Sequence, residues 1–224
     1  MKKAIPKIFV VLLIILSVVL TYYAITYGVW HVLSQMSPGY YGHLEEKMNK
    51  YPLEVLIKKI NRFDLLSPYP SIAINILGKR KEKKVTPILI KILNSNREDL
   101  KKDIFLALSN INDPRAIEPL MGIVRQGENH RYYLDALMTL ATMKYEGALE
   151  YVLERAKRAD AYENGSIGML KDFGKPEYIP LLIEIKNKIP DDYYFAKFDR
   201  GRIDDAITHL KSLQQSQSPQ EITK

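Results

Sequence analysis

The 224-residue sequence contains no cysteine, which removes several kinds of chemistry at once. Disulfide bonds, thiolate nucleophiles and cysteine-ligated zinc or iron–sulfur centres are all excluded. Histidine is also scarce, and no two histidines have the spacing of three to five residues that a helical metal pair needs: the four are His31, His43, His130 and His209. We therefore predict neither a metal site nor a bound cofactor.

The sequence also lacks recognisable catalytic motifs. It has no phosphate-binding G-x-x-x-x-G-K-S/T loop, no dinucleotide-binding G-x-G-x-x-G and no G-x-S-x-G nucleophile elbow. Its acidic pairs Asp191-Asp192, Asp204-Asp205 and Glu45-Glu46 consist of adjacent residues, whose side chains point in different directions on a helix. They do not face each other as acid–base catalysis requires. We predict that the protein is not an enzyme and has no catalytic residues.

Positive charge is in mild excess, with 33 Lys and Arg residues against 26 Asp and Glu residues. Three of the lysines, Lys2, Lys3 and Lys7, precede a long apolar run, so residues 34–224 carry a net charge of only +4. That excess falls short of the concentrated basic face expected of a nucleic-acid-binding protein. We therefore predict no nucleic acid partner.

The sharpest charge feature is a basic cluster at residues 79–84, in which five of the six residues are cationic. Its cationic members are Lys79, Arg80, Lys81, Lys83 and Lys84. Two interpretations remain open from the sequence. The cluster is either a solvated loop between helices or a surface that docks to phospholipid headgroups or to an acidic partner.

An apolar segment near the amino terminus, residues 8–33, contains no Lys, Arg, Asp or Glu. As a helix with a rise of about 1.5 Å per residue it would span roughly 39 Å, more than the roughly 30 Å of a bilayer core. Aromatic residues suited to a bilayer interface follow its densest part: Tyr22, Tyr23, Tyr27 and Trp30. We predict an uncleaved transmembrane helix (a signal anchor) over residues 8–33, after a basic cytoplasmic segment, residues 1–7. Two alternatives stay open, a cleaved signal peptide and a buried helix of a soluble protein.

A turn between two apolar helices recurs along the chain, and its clearest copy is residues 111–120. Asp113-Pro114 is a turn signal, because the Asp side chain can bond nearby backbone N–H groups and Pro fixes φ while removing a donor. We predict that one helix ends near Ile111 and that the next begins near Pro119. The prolines that open second helices are 32 and then 61 residues apart, which indicates a period of about 30 to 32 residues: Pro87, Pro119 and Pro180.

At these residues the chain resembles the HEAT-like repeats, including the short form named after phycobilisome lyases. Ala73 to Gly78 match the helix end A-x-x-x-L-G, and Asp113 to Leu120 match the turn and helix start D-P-x-A-I-x-P-L. The resemblance covers about residues 71–210 and implies that the second helix of each pair lines a concave face. Candidate partner contacts on those helices are Lys91, Arg125, Glu150, Glu154, Arg155, Glu184 and Lys188.

We therefore predict an all-α protein. After the transmembrane helix come a linker (34–43), a short α-solenoid of HEAT-like helix pairs (44–211) and a disordered tail (212–224). The leading hypothesis is a membrane-anchored, non-catalytic scaffold that presents the solenoid to a protein or peptide in the periplasm or extracellular space. One alternative is an enzyme or chromophore-handling factor of the phycobilin lyase type. Another is a secreted solenoid left after signal-peptide cleavage.

The lysines that flank the apolar segment generate a prediction of topology. Three precede the helix and none follows within thirteen residues of Leu33, so the positive-inside rule places the amino terminus in the cytoplasm and residues 44–224 outside. Protease added from outside should digest residues 44–224 and leave a tag before Lys2 intact, and the protein should resist extraction by carbonate. A full-length chain in the soluble fraction would exclude the anchor, and an external tag would invert the orientation.

Overall fold

The computed structural model describes residues 15–19, 21–22, 38–61, 68–158 and 165–217. Throughout these ranges the regular structure is helical and no residue belongs to a β-strand, which confirms the predicted all-α class. The predicted cytoplasmic segment, residues 1–7, lies outside the described residues, as does most of the predicted transmembrane segment, residues 8–33. Among the helices that are described, none is long and apolar enough to cross a membrane.

The chain divides into two compact units, residues 1–76 and residues 77–224. In the first unit, helix α1 (Pro38–Met48) and helix α2 (Leu53–Ile60) lie on either side of Tyr51-Pro52. Helix α1 begins inside the segment predicted as a linker, residues 34–43. Proline suits the first turn of a helix, because its missing N–H would have no helical partner there. Apolar side chains of these two helices are buried: Leu44, Met48, Leu56 and Ile60.

Four helix pairs follow within the described ranges, and a longer helix comes after them. The pairs are α3 (Tyr69–Lys79) with α4 (Thr86–Leu93), α5 (Lys101–Ile111) with α6 (Ile117–Val124), α7 (Tyr133–Thr142) with α8 (Leu149–Ala156), and α9 (Ser166–Phe173) with α10 (Ile179–Asn187). The last helix, α11, is Ala196–Gln217. Helices α4, α6 and α10 begin one or two residues before the prolines from which they were predicted.

Helix α11 continues into the segment for which we predicted a disordered tail, residues 212–224, and ends at Gln217. Leu213, in this extension, is half-buried, and its side chain lies beside Gly174 of the α9–α10 turn, where an added Cβ atom would be 3.2 Å from the Leu213 Cδ1 atom. Partial burial gives the end of the helix a packing partner, which the polar sequence around Leu213 does not indicate. The rest of the predicted tail, residues 218–224, lies outside the described residues.

The same turn joins the two helices of every pair. The first or second residue after the first helix has a left-handed backbone, with φ of 54°, 51°, 57° and 71° at Lys81, Asn112, Lys144 and Gly174. These residues recur at intervals of 31, 32 and 30, within the predicted period. An extended residue and a short 3₁₀ turn then lead into the second helix, and the 3₁₀ turns are Lys83–Val85, Pro114–Ala116, Glu146–Ala148 and Pro176–Tyr178. The recurrence read from the sequence is therefore also a recurrence of backbone geometry.

Asp113 holds the turn in which the repeat is clearest. Its Oδ1 atom accepts a hydrogen bond from the backbone N–H of Arg115 (3.0 Å), and this caps the 3₁₀ turn as the sequence predicted. The Arg115 guanidinium also binds the carboxylate, with Nη2 2.5 Å from Oδ2, and donates to the Lys83 carbonyl oxygen of the preceding pair (2.6 Å). The Arg115 hydrogen bonds lower the pKa of Asp113 to about 2. Arg115, held by this carboxylate, thus connects two successive pairs.

Successive pairs pack through their first helices: α5 contacts α7, α7 contacts α9, and α9 contacts α11. Gly78, the glycine of the A-x-x-x-L-G segment, permits a close approach to α5, because a Cβ atom at this position would lie 2.8 Å from the Ala107 Cα atom. Leu108 of α5 and Leu137 of α7 are fully buried. The apolar stripes predicted from the sequence therefore supply the core between neighbouring pairs.

Replacement of Leu108 by alanine tests this core. Leu108→Ala should lower the free energy of unfolding by about 2–5 kcal/mol, through lost burial and the cavity left behind. The loss should extend to the adjacent pair, because neighbouring repeats share their interfaces. Leu106→Ala is the matched control, since Leu106 lies on the same helix but is 55% exposed. Equal thermal melts for the two variants would contradict the register assigned to α5.

A second prediction concerns the pH dependence that Asp113 confers. Its folded-state pKa of about 2 lies below the unfolded value of about 3.9. Ionised Asp113 therefore stabilises the fold fully above about pH 5, and this contribution is lost as the pH falls towards 2. Asp113→Ala should cost about 1–2 kcal/mol at pH 7, because the turn loses its cap. The stability difference between the wild type and Asp113→Asn, measured by urea unfolding, should shrink between about pH 5 and pH 2, and a constant difference would refute the assignment.

Candidate protein-binding surface

The charged residues predicted to contact a partner lie on the second helices or directly after them. Lys91 of α4 is exposed, as are Glu150 and Glu154 of α8. Arg125, Glu184 and Lys188 form exposed ion pairs within or directly after one helix: Arg125 Nη1 with Glu118 Oε2 (3.0 Å) and Glu184 Oε1 with Lys188 Nζ (2.7 Å). Exposed pairs of this kind stabilise a fold by only about 0–1 kcal/mol. Each of these charges is available to a partner, but none is held in a geometry that would make it an anchor.

Arg155 needs a correction, because we predicted it as an exposed partner contact and the structure buries it. Only 7% of the residue is exposed, and its guanidinium lies 5.7 Å from the centre of the Tyr133 ring. Its Nη1 atom donates to Glu128 Oε1 (2.6 Å), and Arg158 Nη1 donates to the other oxygen of the same carboxylate (2.6 Å). These hydrogen bonds lower the pKa of Glu128, and the one from Arg158 has the larger effect. Arg155 therefore joins α8 to the segment before α7.

Glu150 and Glu154 border a shallow depression on α8. The residues that line it are Glu146, Leu149, Glu150, Leu153, Glu154 and Lys157. Their spacing of three and four residues places them on one face of the helix, and the two leucines are half-buried. The predicted partner contacts do not include Leu149 and Leu153, because apolar residues at helical spacing are expected in the core. The depression combines a small apolar floor with an acidic rim.

A different depression, the α5–α7 groove, was not predicted. It is lined by Lys102 of α5, by residues 128–132, and by Leu134, Asp135 and Met138 of α7. Leu134 is 42% exposed and Met138 is 50% exposed, while Leu106, one helical turn beyond Lys102, is 55% exposed. Leu106 and Met138 occupy equivalent positions, each six residues before the left-handed residue of its turn. The repeat therefore places two exposed apolar side chains on neighbouring helices.

A network of polar contacts fixes one wall of the α5–α7 groove. The Tyr132 hydroxyl donates to Glu98, which also pairs with Lys101 Nζ (2.6 Å) and Arg131 Nη1 (3.1 Å). The hydrogen bond from Lys101, followed by that from Tyr132, lowers the pKa of Glu98. Burial raises the pKa of the Tyr132 hydroxyl. The contact between Glu98 and Tyr132 joins residues 34 positions apart, so a helical period alone could not reveal it.

The packing of α5 against α7 sets the width of the α5–α7 groove. The Thr139 hydroxyl of α7 donates to the Asp135 carbonyl oxygen (2.7 Å) and lies 3.5 Å from the Phe105 carbonyl oxygen of α5. The rings of Phe105 and Tyr132 also meet, with centroids 5.8 Å apart. The groove is therefore a preformed feature of two packed helices. An apolar centre with a charged rim is the usual composition of a protein-recognition surface.

The described residues contain no group of three or more His, Asp or Glu side chains that could hold a metal ion. Comparison of the chain with models of known protein families finds no match, and comparison with curated proteins finds none either. The resemblance to HEAT-like repeats therefore stays a prediction that rests on the residues quoted for it.

Proposed function

We propose that this chain is a membrane-anchored, non-catalytic scaffold whose HEAT-like α-solenoid binds a partner protein outside the cytoplasm. The solenoid is supported by the four equivalent turns, at intervals of 31, 32 and 30 residues, and by contacts between successive first helices. The anchor and the orientation rest on the apolar segment at residues 8–33 and on the lysines before it.

The observation that carries the binding function is the apolar centre of the α5–α7 groove. Leu134 and Met138 line the groove and are 42% and 50% exposed, and Leu106, one helical turn from Lys102 of the lining, is 55% exposed, on helices whose other apolar residues are mostly buried. Full burial of such a side chain contributes about 1.5–3 kcal/mol, so covering the exposed half of all three would contribute several kcal/mol. Exposed ion pairs on the second helices contribute far less. Binding is therefore centred on the groove, with the charged residues of the second helices as a secondary surface.

The occupant of the groove is a partner segment with an apolar face. The acidic residues of the rim are already neutralised by ion pairs within the chain. Glu98 pairs with Lys101 and Arg131. Glu128 pairs with Arg155 and Arg158. A strongly charged partner would gain little from a rim that is already paired. Leu134 and Met138 are one helical turn apart, so they offer adjacent contacts along α7 to an extended or helical segment.

Photo-crosslinking in intact cells tests this proposal. A crosslinking amino acid at Met138 should capture a discrete protein, whereas the same amino acid at Ile183 of α10, which is 45% exposed, should capture far less of it. Leu106→Asp combined with Leu134→Asp should abolish the crosslink from Met138, because charges in the groove and one helical turn beyond it oppose burial. Ile183→Asp is the matched control and should leave the crosslink intact, and circular dichroism melts should show all variants folded.

Two outcomes would contradict the proposal. Equal crosslinking from positions 138 and 183 would show that the groove has no special role. Recovery of a pigment or a metabolite with the purified chain, and of no protein, would favour a chromophore-handling factor instead.

A further inference from the structure

The basic cluster, residues 79–84, contains all of the excess positive charge that follows the apolar segment. Residues 34–224 have a net charge of +4, and the six residues of the cluster also have a net charge of +4, from five cations and Glu82. The rest of residues 34–224 is therefore neutral overall. Such a distribution produces a local positive field at one turn without making the domain basic as a whole.

The other three turns provide an internal comparison, because the left-handed residue fixes the alignment. The segments equivalent to residues 79–84 are residues 110–115, 142–147 and 172–177. Their net charges are 0, 0 and −1. Their charged side chains are also used within the structure, as in the pair of Asp113 with Arg115 and the pair of Lys175 with Glu146. The turn therefore forms without a charge excess, and the cluster is not a requirement of the fold.

The backbone of the cluster is held while its cations remain exposed. The N–H of Lys81 donates to the Gly78 carbonyl oxygen (2.9 Å), and that of Glu82 donates to the Leu77 carbonyl oxygen (3.1 Å). The Lys83 carbonyl oxygen accepts from Arg115 (2.6 Å). All five cationic residues are exposed. With respect to the described part of the chain, Lys81, Lys83 and Lys84 make no ion pair, so three like charges are presented together on a fixed turn.

We propose that the basic cluster binds the anionic headgroups of phospholipids. Its chemistry favours a lipid surface over a protein, because four of the five cations are lysines, which are depleted in protein interfaces. The cluster also offers no exposed apolar residue that could serve as the dry centre of a protein interface, since Val85 directly after it is fully buried. Adjacent strongly hydrated ammonium groups suit a plane of phosphates, and polybasic segments bind anionic membranes in this way.

This inference rests on the membrane anchor of the proposed function, which would keep the cluster near a bilayer. It adds a second, reversible contact to the same membrane. Each basic residue near an anionic surface strengthens binding about fivefold, so loss of three lysines should weaken the headgroup contact about a hundredfold.

Acylation of lysines in the full-length chain tests the inference. The chain is placed in lipid nanodiscs of phosphatidylcholine, alone or with phosphatidylglycerol, and the extent of acetylation by an amine-reactive ester is measured by mass spectrometry. Acetylation of Lys81, Lys83 and Lys84 should fall severalfold in the anionic discs and recover at high salt. Three exposed lysines of the same compact unit, Lys102, Lys197 and Lys211, should be acetylated equally in both discs.

Matched charge variants separate a specific contact from the effect of net charge. In Lys81→Gln/Lys83→Gln/Lys84→Gln, acetylation of Lys79 should no longer depend on the lipid. In Lys102→Gln/Lys197→Gln/Lys211→Gln, which removes the same charge elsewhere, it should still depend on the lipid. Equal acetylation of the cluster in neutral and anionic discs would overturn the inference. Protection in native membranes but not in anionic discs would also overturn it and would identify an acidic protein as the occupant.

The neutral discs distinguish a missing membrane anchor from a missing headgroup contact. A chain that washes off neutral discs in carbonate lacks the anchor, and the proposed function fails in that respect alone. The headgroup contact is then measured as flotation of the chain with phosphatidylglycerol vesicles. Flotation that is lost in the cluster variant and retained in the matched variant would support the contact, and no flotation would refute it.

Discussion

A left-handed residue after the first helix of each pair is the constraint on which the rest of the repeat region depends. Lys81, Asn112, Lys144 and Gly174 all adopt it, although for a residue other than glycine it costs roughly 1–2 kcal/mol. This residue reverses the direction of the chain, so the second helix runs back beside the first. Apolar side chains such as Leu108 and Leu137 then become buried between neighbouring helices. A few kcal/mol of backbone strain is thus offset by core packing of comparable or larger size at each pair.

Several carboxylates in the described helix pairs bind donors from nearby segments of the chain. Asp113, Glu128 and Glu98 each bind two or more donors, and in every case one of them reaches another helix pair or the segment between pairs. Such contacts fix the relative register of neighbouring pairs more than they add stability, because most of the partners are partly exposed. The apolar residues of the α5–α7 groove differ, since nothing in the described chain covers them fully. This contrast is why the groove, rather than the charged surface of the second helices, is the stronger candidate for binding.

The sequence predicted those features that local chemistry encodes. Asp113-Pro114 signals a turn through its own side chain and ring, and the apolar stripes follow from helical spacing, so both were available without a structure. Arg155 was assigned to the surface because its burial depends on Glu128, 27 positions earlier. The exposure of Leu106 could not be read from an apolar stretch of helix, because it depends on which face of α5 packs against its neighbours. The extension of α11 likewise contains a half-buried leucine, Leu213, whose side chain lies beside Gly174, far away in the sequence.

Repetition also separates residues that the fold needs from residues that it only tolerates. The turn position of Lys81 is occupied by Asn112 and Gly174 elsewhere, so the left-handed backbone is required there and a positive charge is not. The position of Leu106 is occupied by Met138 and then by Gly168, so an exposed apolar side chain is not required either. A cluster of like charges and an uncovered apolar strip each raise the free energy of the isolated chain. Features that are unfavourable in isolation, and unnecessary in equivalent copies of the same turn and helix, are therefore the ones for which we propose contacts with other molecules.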